Sequence, residues 1–238
     1  MNARAQLLCA HSGLLFAVLM GVGIFGIAGW LPPLDPLLAA TDVATLFQRD
    51  QLRIRIGISV LALACVLWWP FSAAIAAQLR RIEGRGAVLA ATQLASASGT
   101  VFAVMIPSYV WLALSYRPDL TPPGTMQVLN DLAWLSFVGM YPPALVQNLA
   151  TGLAILGDES PRPVYPRWLG FVNFWLALCY VVGALLPFFK RGPFAWNGLF
   201  GFWLAAVSFF GWTLLMWRTT VRAIRDAPAD GPDTAGAS

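Results

Sequence analysis

Six stretches of this 238-residue chain contain no Asp, Glu, Lys or Arg: 5–34, 56–79, 86–116, 132–157, 168–189 and 192–217. Each is longer than the roughly 20 residues an α-helix needs to cross about 30 Å of hydrocarbon. The charges crowd into the short gaps between them. A soluble domain carries about 25% charged residues; here 11% are charged and 58% hydrophobic, too little polar surface to face water. A transmembrane barrel alternates apolar and polar residues along each strand, whereas Leu14–Met20 and Ile58–Val66 are apolar nearly throughout. Helices satisfy their own backbone hydrogen bonds in lipid. The chain therefore reads as all-α, a polytopic transmembrane helix bundle of about six spans.

The spans are expected at about 6–29, 54–79, 88–116, 124–157, 168–188 and 197–224, within a single membrane domain over 1–226. Residues 227–238, rich in Ala, Pro, Asp and Gly, read as a disordered tail. The first span follows only Arg4 and runs into Trp30 and Pro32-Pro33, which suits a retained span better than a cleaved signal peptide. Gly21, Gly23, Gly26 and Gly29 suggest a close-packing face. After a proline-rich loop, Thr41 is expected to cap a short interfacial amphipathic helix, with Val43, Leu46 and Phe47 opposite Gln48, Arg49, Asp50 and Arg53. Pro70 should kink the second span, and Pro142-Pro143 should interrupt the fourth. Six spans put both termini on one side. With that side cytoplasmic, nine basic residues lie inside and six outside, which favours N-in and C-in. Trp30, Trp111, Trp168, Trp196 and Trp217 fall near span ends, as an aromatic belt requires.

Reactive groups are few. A single histidine, His11, leaves no basis for a bis-histidine haem, a His-rich metal site or a Ser-His pair, and suits a helix–helix hydrogen bond. Cys9, Cys65 and Cys179 lack metal or redox spacing. No phosphate-binding glycine loop appears, so neither cofactor nor metal is implied. The net charge of +4 is spread over loop ends, which indicates topology signals beside anionic lipid and not a nucleic-acid surface.

Asp131 is the acid expected within a span, about 15 Å from the start of the fourth. Burying its charge is costly, so it is a functional candidate by default, although a structural pairing is the favoured reading. At 100° per residue Asn130, Trp134, Phe137, Tyr141 and Asn148 share one face with it nearby. Gln147 adds an amide, and the fifth span offers Asn173 and Tyr180. Such groups either bond helix to helix or line a ligand cavity. The candidate ligand-binding set is therefore Asn130, Asp131, Trp134, Tyr141, Gln147, Asn148, Asn173 and Tyr180, with no catalytic residue assigned.

The stretches Leu129-Asn130-Asp131-Leu132-Ala133-Trp134, Pro142-Pro143 with Gln147-Asn148, Tyr165-Pro166-Arg167-Trp168-Leu169-Gly170 and Gly192-Pro193-Phe194-Ala195-Trp196-Asn197-Gly198 occur together. As a set, over roughly 41–217, they resemble a group of bacterial multi-pass inner-membrane proteins of the domain-of-unknown-function type. The resemblance implies a six-helix architecture in a bacterial inner membrane and no particular activity. The expected partners are the lipid bilayer, a lipophilic small molecule, and a membrane protein or a second copy of the chain. Three functions stay open: a non-enzymatic small-molecule or lipid binder or membrane-complex subunit, a permease for an apolar or weakly polar compound, and an enzyme acting on a lipophilic substrate.

Overall fold

The computed structural model describes residues 3–139 and 141–227, in which all regular structure is helical. The expected tail lies outside the described residues apart from Ala227. Among the described residues five helical stretches are long and apolar enough to cross a membrane: Ala3–Ile27, Gln51–Glu83, Val88–Tyr116, Arg167–Phe188 and Leu199–Arg225. Leu8, Leu63, Val128, Trp175 and Val207 are each more than half exposed, while Gln93, Ser108, Asn173 and Thr213 are fully buried. Polar groups inside and large apolar ones outside suit a lipid solvent and would be costly in water. The chain is a membrane protein.

The first crossing is α1 (Ala3–Gly21), which continues as π-turns over Val22–Ile27. Gly23 makes a close backbone approach, since a Cβ there would sit 2.6 Å from the Gly57 carbonyl oxygen, while Gly13 abuts the Phe71 ring and Gly29 the Arg53 guanidinium. Gly21 and Gly26 face open space, so the expected glycine face narrows to Gly23 and Gly29. Helix α2 (Ala40–Arg49) is the amphipathic helix, burying Val43, Ala44 and Phe47. Thr41 is not its cap. The cap position is Ala39, so the helix begins two residues earlier than expected, at Ala40, and the Thr41 carbonyl accepts from the Thr45 hydroxyl.

The second crossing joins α3 (Gln51–Ala64) to α4 (Trp68–Glu83) through a 3₁₀ turn over Cys65–Leu67. That tightening falls where Pro70 withholds an amide donor from the preceding turn. Arg53 and Arg55, expected to serve as charges outside the membrane, are used structurally. Arg53 donates to the Ile27 carbonyl at 2.5 Å and Arg55 to the Ser115 carbonyl at 2.9 Å, closing the ends of two neighbouring helices. At the other end Glu83 accepts from the Leu89 and Ala90 amides (2.8 and 2.7 Å), capping α5 (Val88–Tyr116) with a carboxylate.

The expected fourth span, 124–157, is not one helix. It is α6 (Pro123–Gly139) and α7 (Pro142–Leu156), and neither half is long enough to cross alone. Both lie along α5, end to end and antiparallel to it: Trp111 bonds to Asn130, Thr100 bonds to Gln147, and Gly99 abuts Pro143. The two prolines start α7 because a proline is well tolerated in the first helical turn and poorly in the interior. Helix α8 (Arg167–Val181) crosses α7 closely where Gly152 meets Gly170, then tightens into 3₁₀ turns over Val182–Phe188. A folded turn over residues 192–198 leads through π-turns at Leu199–Trp203 into α9 (Leu204–Arg225). Gly201 is obligatory there, since its Cβ position coincides with the Ala195 carbonyl.

Three of the expected belt tryptophans are interior residues. Trp30, Trp111 and Trp196 are buried, because the loop after α1 folds back over the bundle end. The Trp196 indole donates to the Leu34 carbonyl (2.8 Å) and Gln127 to the Leu38 carbonyl (2.9 Å), pinning that loop down. Trp168 is half exposed, as a belt residue should be. His11 accepts from the Trp217 indole at 3.0 Å, joining the first helix to the last.

Candidate functional site

The candidate residues do not form one site. Asn130 and Trp134, on the buried face of α6, enter an aromatic cluster. Trp111 packs edge-on against Trp30 and Trp134 at ring-centre distances of 4.8 and 5.1 Å, and against Phe137 at 5.6 Å. The Asn130 carbonyl oxygen accepts from the Trp111 indole at 3.3 Å. This region is filled by rings and has the structural role of joining helices. Asn173 behaves alike in α8: its oxygen accepts from the Trp212 indole and its amide donates to the Leu169 carbonyl, both at 2.8 Å.

Asp131 sits one residue off that face and is half-buried. No hydrogen bond among the described residues reaches its carboxylate, and Lys190 is the cation whose field it feels. An aspartyl pair with Asp158 does not arise, because Asp158 is committed to its own loop. There it accepts from the Ser160 hydroxyl (2.6 Å), the Ser160 amide (3.1 Å) and the Val164 amide (2.8 Å). Burial alone would push the Asp158 carboxyl up. Those bonds and the Arg81 charge outweigh it, and the net shift is downward. The turn is thus fully held above the ordinary carboxylate range and loosens as pH falls through the depressed value.

Tyr141 and Tyr180 come together elsewhere. They border a cavity of about 100 Å³ beside the break between α6 and α7, with walls from α1, α5, α8 and α9. Its other lining side chains are apolar, Phe25, Val104, Phe137 and Phe209 among them, and Thr100 supplies a further hydroxyl. The Thr100 hydroxyl donates to the Gln147 side-chain oxygen at 3.3 Å, which ties α7 to the cavity wall. Gln147 and Asn148 are buried yet incompletely bonded: the Gln147 amide nitrogen and the Asn148 side-chain oxygen have no partner among the described residues. The Asn148 nitrogen turns back to the Ala144 carbonyl at 2.8 Å.

The break explains this division. A single helical period through 130–148 would put Asn130, Tyr141 and Asn148 on one face, but the period stops at Gly139 and restarts at Pro142. Gly183 completes the site without any sequence signal, since a Cβ there would lie 3.1 Å from the Tyr141 side chain. Among the described residues no three His, Cys, Asp or Glu side chains converge as a metal site.

Protein-family models, curated proteins and solved structures were compared with the chain, and none matches. Fold and site together define a class, a helical-bundle membrane protein with an interior apolar cavity at a helix break.

Proposed function

We propose that this chain is a non-enzymatic multi-pass protein of a bacterial inner membrane, with both termini cytoplasmic, that holds a lipid or other lipophilic molecule by its narrow end. The observation that carries the reading is the cavity at the break in the fourth crossing. Its volume, about 100 Å³, is smaller than the roughly 150 Å³ that accepts a benzene and far below a drug-sized pocket. It suits the end of an acyl chain or a small branched group. The hydroxyls of Thr100, Tyr141 and Tyr180 would meet a carbonyl or hydroxyl on that ligand. The lining contains no acid, histidine, lysine or cysteine, so it offers little for acid–base or nucleophilic chemistry.

The test is mass spectrometry of molecules retained by the purified protein, with Ala206→Phe as the variant that fills the cavity. Wild type should carry a defined lipophilic species, and the variant should lose it while still unfolding cooperatively. Equal retention by both proteins, or none by wild type, would sink the reading. The helix break beside the cavity also favours a permease reading, because interrupted helices often flank transported ligands. Uptake of the retained species into proteoliposomes, abolished by Ala206→Phe, would select it.

A further inference from the structure

A second, chemically opposite cavity lies at the other end of the bundle. It measures about 570 Å³ and sits where α4, the loop before α8 and the last turns of α9 meet. By helical rise Ala206, in the apolar cavity, and Thr219, in this one, are about 20 Å apart. Three guanidinium groups line it: Arg81 from the end of α4, Arg162 from the loop and Arg222 from α9. The floor is Tyr165, fully buried, with its hydroxyl 2.9 Å from that of Thr220. Burial pushes this phenol above its ordinary range, more than the Thr220 bond and the Arg81 charge draw it down, so it stays neutral and adds no negative charge.

The balance of charge inside is uneven. Among the described residues Asp226 is the one carboxylate in the wall, and it is already 3.3 Å from Arg222. Asp158 lies within reach of the Arg81 field, but its oxygens are taken by Ser160 and Val164. Arg81 uses one terminal nitrogen on Gln78 and the Ala223 carbonyl, and no bond among the described residues occupies its other nitrogens. Arg162 makes neither an ion pair nor a hydrogen bond among the described residues. Two forked cations with free donors thus face a polar hollow at the depth where spans end. Guanidinium forks match the tetrahedral oxygens of phosphate, and basic pockets between span ends are suited to anionic headgroups.

We infer that this pocket binds a phosphate group through Arg81, Arg162 and Arg222, carried either by an anionic phospholipid headgroup at the membrane surface or by a free phosphate. The site is separate from the apolar cavity and stands whether or not that cavity is ever occupied. Arg162 is the variant of choice, because it lies in an exposed loop and supports no helix contact. Full-length protein in detergent is titrated with phosphatidylglycerol, with phosphatidylcholine and with inorganic phosphate, and adducts are counted by native mass spectrometry. The expected result is a preference for phosphatidylglycerol over phosphatidylcholine that falls about fivefold in Arg162→Ala, the loss of one near-surface cationic contact. Arg222→Ala should produce a similar drop, and Arg162→Lys should restore part of the binding. Inorganic phosphate bound with the same Arg162 dependence, without the lipid preference, assigns the pocket to a soluble phosphate compound. Absence of both the lipid preference and phosphate binding overturns the proposal, as does binding unchanged in both alanine variants with wild-type melting.

Discussion

The two helices found where a fourth span was expected, α6 and α7, carry similar residues and use them oppositely. In α6, Asn130 is paired with an indole and surrounded by rings. In α7, Gln147 and Asn148 are just as buried, but each leaves a polar atom without a partner among the described residues, and Gln147 reaches the cavity wall through Thr100. A buried amide is thus not evidence of a site by itself. For a buried amide, the difference between glue and a binding surface is whether its own hydrogen bonds are made; the unpartnered Trp134 indole nitrogen, walled in by Trp111 and Phe137, is not by itself a binding surface.

The comparison can be broken most forcefully at the aromatic cluster. Trp111→Ala should destabilise the protein by about 3–5 kcal/mol, the usual cost of truncating a buried tryptophan, as measured by denaturant unfolding in mixed micelles. The same variant should leave retention in the apolar cavity intact once folded. A matched pair of substitutions comes next. Asn130→Leu strands the Trp111 indole and should cost about 1–3 kcal/mol. Gln147→Leu removes an unpartnered nitrogen and a long 3.3 Å contact from the Thr100 hydroxyl, which keeps a second acceptor in the Ser96 carbonyl, so it should cost about 0.5–1 kcal/mol and alter ligand retention instead. Equal destabilisation by the two would erase the proposed difference. The smallest effect is expected at Asp131→Asn, within about 0.5 kcal/mol, with retention unchanged; loss of retention in a folded Asp131→Asn protein would move the site to α6.

The span limits were legible because the cost of burying charge is local and acts on every residue. The charge-free window 86–116 predicts α5 at 88–116, and the fifth and sixth spans fall within a few residues of their helices. Pro142-Pro143 likewise marks the break. The candidate face was not legible, because a helical wheel assumes an unbroken period, whereas the period that ends at Gly139 restarts at Pro142. Spacing also hides which small residue meets a partner: Gly23 meets the Gly57 backbone and Gly29 the Arg53 side chain, while Gly21 and Gly26 meet nothing. Trp30 near a span end reads as a belt residue until a loop is known to fold over it. The arginine pocket left no trace in sequence, because Arg81, Arg162 and Arg222 come from three separate segments.

The indole bond from Trp196 to the Leu34 carbonyl has a consequence for how the molecule is made. Its two ends are 162 residues apart, and chains emerge from the ribosome N-terminus first. The loop after α1 therefore waits through most of synthesis before its last fastening arrives. Until the turn at 192–198 is delivered, the rings beneath that loop, Trp30 and Trp111, have one less layer above them. The molecule is closed like a bag, by a drawstring near the end of the chain pulled through a loop near its beginning.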